Sequence, residues 1–342
     1  MWNGLRSADF EVRGADQQLL HERASAVTRR VFGERVFVRA VVEVSNFCRE
    51  NCHYCGMRRD NRELERSRLG HDELAEALIH HRPAAVTDVN IQAGEDPVAV
   101  RTVVLPLIHT LRRQTTLGIS VCLGTLEPDT YAELRAAGAS IYILKFETAD
   151  EAGYARFRAP GTRSERLEHI RHLSATGWRV SSGFISGLPG QTPMDLLNNC
   201  QLARELPLDG ASVSPFIAGE DIPLAGEASG DVETALNCMA MLRITNPRWV
   251  IPAVSALNLA QPGSGYIRGL RAGANLVTIN LTPRALQRNY VLYKRDRFIM
   301  DEARVMDALA QAGLVPSSQS LADFYVQQKE SQPDCCPVAT PV

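Results

Sequence analysis

Between Ser45 and Arg59 the chain reads SNFCRENCHYCGMRR, with Cys48, Cys52 and Cys55 set four and then three residues apart. Thiolates at this spacing on one loop can converge on a metal centre, and soft sulfur suits zinc or an iron–sulfur cluster. Structural zinc normally closes its shell with four protein ligands, from paired CxxC or from CxxC with HxxxH. Here the second donor pair is missing, and His53 reads as a loop residue rather than a fourth ligand. Three thiolates on a four-iron cluster leave one iron open, and an open iron is a reactive position.

Such a loop needs a frame. The 342 residues are 45% apolar and 22% charged, a balance that supports a large buried core. A net charge of -2 offers no general field for nucleic acid or an anionic membrane, so the expected partner is a small molecule. No run approaches the roughly 18 apolar residues of a membrane span, and MWNGLRSADFEVRG lacks the order of a signal peptide. A cytoplasmic location with reduced cysteines is expected. Cys122, Cys200 and Cys238 read as small buried hydrophobes. Cys335 and Cys336, adjacent in a Pro-rich tail, are poor ligands for a second metal site.

Around the loop, short β-branched runs alternate with longer stretches of helical period, the rhythm of parallel βα units. The runs FVRAVVEVS, VTDVNIQAG, ISVCLGT, SIYILKFE, RVSSGFISG, ASVSPFIAG, WVIPAVSA and NLVTINLT read as strands. Between them HDELAEALIHH, PDTYAELRAAG, RSERLEHIRHLSATG, TPMDLLNNCQLARELP and DVETALNCMAMLRI read as helices, several with Asp or Thr near the start and Gly or Pro past the end. The pattern predicts an α/β fold, a (βα)8 TIM-type barrel over 36–314 closed by DEARVMDALAQAGL, with an N-terminal helical extension over 1–35 and a C-terminal extension over 315–342. An open doubly wound sheet has the same periodicity and stays open as an alternative. The end, QQKESQPDCCPVATPV, is expected to be a frayed, flexible tail. In a barrel, the cysteine loop follows the first strand and sits at the catalytic mouth.

With that setting, CRENCHYC fits the CxxxCxxC signature, and the chain resembles the radical S-adenosylmethionine (SAM) superfamily. The stretches EVSNFCRENCHYCGMRRDN, QAGEDP, KFETAD, ERL, GLPGQT and LRAGANLVTINLTP resemble the branch containing biotin synthase, the [FeFe]-hydrogenase maturase HydE and 3-methylornithine synthase, the last two most closely. The resemblance covers residues 35–313, and 222–314 looks like the biotin and thiamine synthesis associated segment. It implies that Cys48, Cys52 and Cys55 hold a [4Fe-4S] cluster and that SAM chelates the fourth iron. It also implies an electron donor such as flavodoxin or ferredoxin, and cleavage of SAM to methionine and a 5′-deoxyadenosyl radical that takes hydrogen from the substrate.

The resemblance assigns further residues to SAM. Tyr54 matches the aromatic residue before the last cysteine, and Ala93, Gly94 and Glu95 stand where the family has Gly-Gly-Glu around the SAM amino group. Lys145 and Glu147 stand at the family's Arg-x-Glu near the adenosyl and methionine parts, with Lys for Arg, and Arg166 matches the arginine that meets the SAM carboxylate. From the residues alone, QAGEDP is equally a strand-end turn with a capping acid. Lys145 and Glu147, two apart on one face of a strand, are equally an ion pair at a barrel mouth. SERLEHI is equally a helix with a surface charge pattern.

Polar residues in the late strands mark a candidate substrate pocket: Ser214 in the sixth, Ser255 in the seventh, Thr278 and Asn280 in the eighth. Arg268, Arg284 and Arg288 are candidates for a carboxylate or phosphate. Each of these is equally a satisfied core polar group or an ordinary loop charge. Biotin synthase needs a second cluster, and by the resemblance Ser120 and Ser181 stand where its cysteines would be, which speaks against that activity. The expected function is a radical SAM enzyme that rearranges or cleaves a carbon bond of a small polar metabolite, such as an amino acid. The alternative is a HydE-like maturation protein acting on an iron-bound or cysteine-derived ligand, and a zinc module is a distant third.

Overall fold

The computed structural model of the chain describes residues 6–330. Parallel strands curl in the order β6-β5-β4-β3-β2-β1-β7, where β1 is Arg35–Ser45, β2 Asp88–Ala93, β3 Gly118–Cys122, β4 Ile141–Ile143, β5 Arg179–Ser186, β6 Gly210–Pro215 and β7 Leu276–Asn280. A two-residue strand β8, Val315–Pro316, pairs with the start of β1. The ring closes through single bridges, Val250 to Gly210 of β6 and Pro252 to Leu276 of β7. The fold is therefore TIM-type, but WVIPAVSA, expected as a full strand, is reduced to these two contacts. Pro252 has no N–H with which to extend a ladder, and a helix already begins at Ser255.

A second expected strand is shortened. SIYILKFE keeps strand geometry for Ile141–Ile143, so Lys145 and Glu147 lie just beyond β4. Glu147, with a φ of 64°, rejoins the sheet only as a single parallel bridge to Phe184 of β5.

The two-residue period of the strands sorts their side chains. On β1, Val38, Ala40, Val42 and Val44 are fully buried in the core shared with helical residues such as Leu74 and Leu78. Arg39, Val41 and Glu43 point the other way, into a cavity along the barrel axis. Register then sets the rows of that cavity: Arg39 stands beside Asp88 and Thr278, Val41 beside Asn90 and Asn280, and Glu43 beside Gln92. The helices Arg163–Ala175 and Pro193–Glu205 begin in capping boxes, Thr162 with Glu165 and Thr192 with Asp195.

The N-terminal helix Gly14–Phe32 packs on the helix Val232–Thr245 outside the barrel. The C-terminal extension does more than the sequence suggests. Its helix Leu321–Glu330 seals the floor: Leu321 and Tyr325 pack with Phe37, Ile141, Val250 and Leu276, and the Leu321 N–H donates to the Asp88 carboxylate at 2.9 Å. Gln327, Gln328, Lys329 and Glu330, expected in a frayed tail, thus belong to that helix. Cys335 and Cys336 lie outside the described residues. Among the described residues no helix is long and apolar enough to cross a membrane.

Candidate active site

The cysteine loop leaves β1 at Ser45, and two neighbours shape it. Arg66 donates to the carbonyls of Asn46 and Met57 at 2.6 and 2.9 Å and to those of Arg58 and Asn61 at 2.6 and 3.2 Å, so one guanidinium gathers the turns on both sides of the cysteines. From the next strand, the Gly94 N–H donates to Ser45 O at 2.9 Å. A β-carbon at Gly94 would lie 2.2 Å from Phe47 O and 2.9 Å from Cys48 Cβ, so the approach requires glycine. Gly94→Ala is expected to displace the loop and to lose most of the iron taken up on reconstitution. Iron per chain, measured after desalting, checks this; wild-type iron would mean that the loop yields without consequence.

Cys52 is buried, and Cys48 and Cys55 are half-buried. The Glu95 N–H points at Cys48 Sγ at 3.4 Å. Burial pushes all three thiols up, Cys55 to about 12, and the Cys48 charge adds to the rise at both Cys52 and Cys55. Thiols that crowd one another in a poorly solvated place become thiolates when a metal supplies the compensating charge. Among the described residues no three His, Cys, Asp or Glu donors converge as a single ion would need. A four-iron cluster distributes its thiolates over separate irons, so the donor set fits a cluster better than a lone ion.

Beside the cysteines lies a buried charge network. Glu95 Oε1 accepts from Thr125 N at 2.9 Å and from Arg166 Nη1 at 3.3 Å, and its Oε2 accepts from Arg49 Nε at 3.2 Å. Arg166 also donates to Thr125 Oγ1 at 2.5 Å and to Lys145 O at 2.9 Å. Burial opposes the charge of Arg166, but Glu95 and weaker neighbours hold its pKa above the usual value. The surface-helix reading of SERLEHI fails at this residue, since Arg166 is only 5% exposed. Arg49, Gly124 and Thr125 had no distinguishing mark in the sequence beyond their place after a strand. Gly124 has φ 74°, and a β-carbon there would overlap the Glu95 side chain.

Below the loop the barrel encloses a cavity of about 360 Å³, within the size range of small-molecule sites. Tyr54, Lys145, Glu147, Thr278 and Asn280 all line it. The Tyr54 hydroxyl is buried with no hydrogen-bond partner among the described residues. Burial raises the Glu147 carboxyl despite Lys145 and Arg166, while for Lys145 burial is outweighed by Tyr293 and Glu147. Ser214 lines the wall too, its hydroxyl 3.1 Å from that of Tyr293.

A family model described as the Radical SAM superfamily matches residues 42–203. The [FeFe] hydrogenase maturase subunit HydE of Thermotoga maritima is 33% identical over 276 residues, 81% of this chain and 79% of that protein. The chain belongs to the radical SAM superfamily. Radical SAM proteins carry a [4Fe-4S] cluster and bind SAM, and this chain is accordingly an enzyme. The 3-methylornithine synthase of Methanosarcina barkeri is 28% identical over 309 residues, 89% of this chain and 86% of that one. A crystal structure of methylornithine synthase superposes with a TM-score of 0.82 at 25% identity, over 95% of this chain and 97% of that one.

Within the radical SAM barrel, the expected substrate residues divide. Thr278 and Asn280 face the cavity from β7, and Ser255 lines it as the first residue of a helix rather than from a strand. Arg268 does not line it: its guanidinium is held by Glu233 at 2.5 Å and Gln261 at 2.6 Å. Arg284 and Arg288 are exposed. The cavity's other arginines, Arg39 and Arg297, carry no motif in the sequence. Arg39 projects from β1 with a buried, unpartnered Nε, and Arg297 reaches back to Glu43 with bonds of 2.5 and 2.9 Å. Arg297 also donates to Gln287 O and Tyr290 O at 3.1 Å, and so ties the segment after β7 across the mouth. Arg297→Met is expected to destabilise the fold by about 3–5 kcal/mol, because Glu43 is then left buried and unpaired. Urea denaturation checks this, and adding Glu43→Gln is expected to restore part of the loss.

Proposed function

We propose that this chain is a radical SAM enzyme that takes hydrogen from a small polar metabolite, an amino acid or a close relative, and rearranges or cleaves one of its carbon bonds. Cys48, Cys52 and Cys55 hold the cluster. Tyr54, Ala93, Gly94, Glu95, Lys145, Glu147 and Arg166 bind SAM, and Ser255, Thr278 and Asn280 contribute to the substrate pocket. When bound, cluster and SAM supply one-electron cleavage of a sulfonium carbon–sulfur bond, with the electron from a flavodoxin- or ferredoxin-type donor.

The observation that carries this reading is the cavity, which runs from Cys52 and Cys55 down the barrel past Lys145 to Thr278 and Asn280. Its residues have separable tasks. Glu95, fixed by Arg49, Thr125 and Arg166, offers a carboxylate to an ammonium group. Arg166, in turn, is a planar donor suited to a carboxylate. The apolar stretches of wall, including Ile143, Ile185 and Phe216, exclude water from the reacting centre.

Anaerobic reconstitution with iron and sulfide, followed by SAM and dithionite, is expected to give 5′-deoxyadenosine by chromatography. Neither a cluster nor that product would leave the proposal without support. The similarity to HydE favours a second reading, maturation of an iron-bound or cysteine-derived ligand. The two separate on which additive, a free amino acid or a cysteine-derived iron complex, accelerates 5′-deoxyadenosine formation.

A further inference from the structure

The cysteine loop also turns a face to solvent, with charges the proposed chemistry does not use. His53, next to Cys52, is half-buried there, and its N–H donates to Phe157 O at 2.9 Å, which seats Arg158 alongside. Arg158 is exposed and has a φ of 49°. It follows the helix Glu151–Arg156 at the place where glycine or asparagine usually ends a helix. A β-carbon is unfavourable in that conformation, so an arginine there points to a use for the side chain beyond folding.

Arg58 borders the same loop, its N–H donating to Cys55 O at 3.2 Å. Arg62, further along the loop, is exposed. Among the described residues neither Arg62 nor Arg158 enters an ion pair. Of the acids nearby, Asp60 pairs with Arg59, Asp221 with Arg295 and Glu50 with Arg49, while Glu63 and Glu65 are exposed beside Arg62 and Arg58 donates to the Asp221 carbonyl at 3.4 Å. Beside His53, Arg158 is thus an exposed cation with no ion pair among the described residues, on a chain of net charge -2.

Resting on the radical SAM reading, we infer that Arg58 and Arg158, around His53, dock a protein one-electron carrier whose redox centre is rimmed by carboxylates. The cavity side of the loop is committed to SAM and substrate, which leaves this side for electron entry. The step moves one electron: the carrier is oxidised by one and the cluster reduced by one, and no bond in the chain is made or broken. Opposed charge guides such encounters and makes their rate strongly dependent on salt.

The test uses the cluster-loaded enzyme and a flavodoxin hydroquinone, mixed anaerobically, with cluster reduction followed by its visible absorption at low and high ionic strength. Wild type is expected to be reduced quickly at low salt and slowly at high salt. Arg58→Glu with Arg158→Glu is expected to slow low-salt reduction by roughly tenfold or more and to remove most of the salt dependence. Arg158→Gly, which suits the left-handed backbone and tests charge without risk to folding, is expected to act in the same direction. Calorimetric binding of oxidised flavodoxin to the cluster-loaded chain is expected to weaken in parallel, while dithionite reduces all variants alike. A charge-reversed enzyme that takes electrons from flavodoxin at the wild-type rate and salt dependence overturns the docking face alone. Failure of dithionite to reduce the wild type overturns the underlying reading, and the docking face with it.

Discussion

Replacing any one of Cys48, Cys52 or Cys55 by alanine is expected to remove the cluster's visible absorption and to bring 5′-deoxyadenosine formation down to the detection floor. The effect is large because the loop carries no fourth cysteine, and the remaining described cysteines sit on β3 or in the helices Pro193–Glu205 and Val232–Thr245. A cluster with two thiolates on this loop has lost both a bond and part of its fixed orientation toward SAM. Cys200→Ser, a change deep among the helices, is expected to keep the absorption. A cysteine-loop variant that retained both cluster and product would show that the ligands had been misassigned.

Arg166→Met is expected to have the next largest effect, on stability and on SAM binding together. Arg166 and Glu95 are each 5% exposed, so removal of the guanidinium leaves a buried carboxylate short of its main partner. Breaking a buried pair from one side costs about 3–5 kcal/mol. Arg49, which reaches the other Glu95 oxygen but is itself 49% exposed, keeps the loss toward the low end. For the same reason Arg49→Ala is expected to cost no more than about 1 kcal/mol. Arg166→Lys retains the charge without the planar fork, and its SAM affinity is expected to fall between wild type and Arg166→Met. Urea denaturation measures the stability, and equilibrium dialysis against labelled SAM on the cluster-loaded protein measures the binding. Unchanged SAM affinity in Arg166→Met would remove this arginine from the SAM site.

The closest agreement between sequence and structure comes where the determinant is local. Lys145 and Glu147 were expected to share a face, and both reach the cavity, although the strand itself stops at Ile143. Pattern could not anticipate that end, because the ladder with β5 breaks after Ile143 and resumes only as a bridge at Glu147, a matter of tertiary pairing. Arg268 shows the opposite failure. It was expected as a candidate for a carboxylate or phosphate, but Glu233, which faces it from a different helix, holds its guanidinium away from the cavity. Leu321–Glu330 carries too weak an apolar stripe to announce a helix that closes a barrel. Its anchoring partner, Asp88, lies 233 residues earlier.

The chain's own order was enough to set the cysteine triplet, the βα rhythm and the inward side of each strand, because adjacent spacing and two-residue alternation are properties of short segments. The tertiary structure decided which of the charged residues matter. Glu95 meets Arg166 across 71 residues of chain and Glu43 meets Arg297 across 254, contacts that exist only once the strands have curled into a ring. An arginine on a helix has the same periodicity whether it faces water or a carboxylate, so it is closure of the barrel that turns one of them into part of a site.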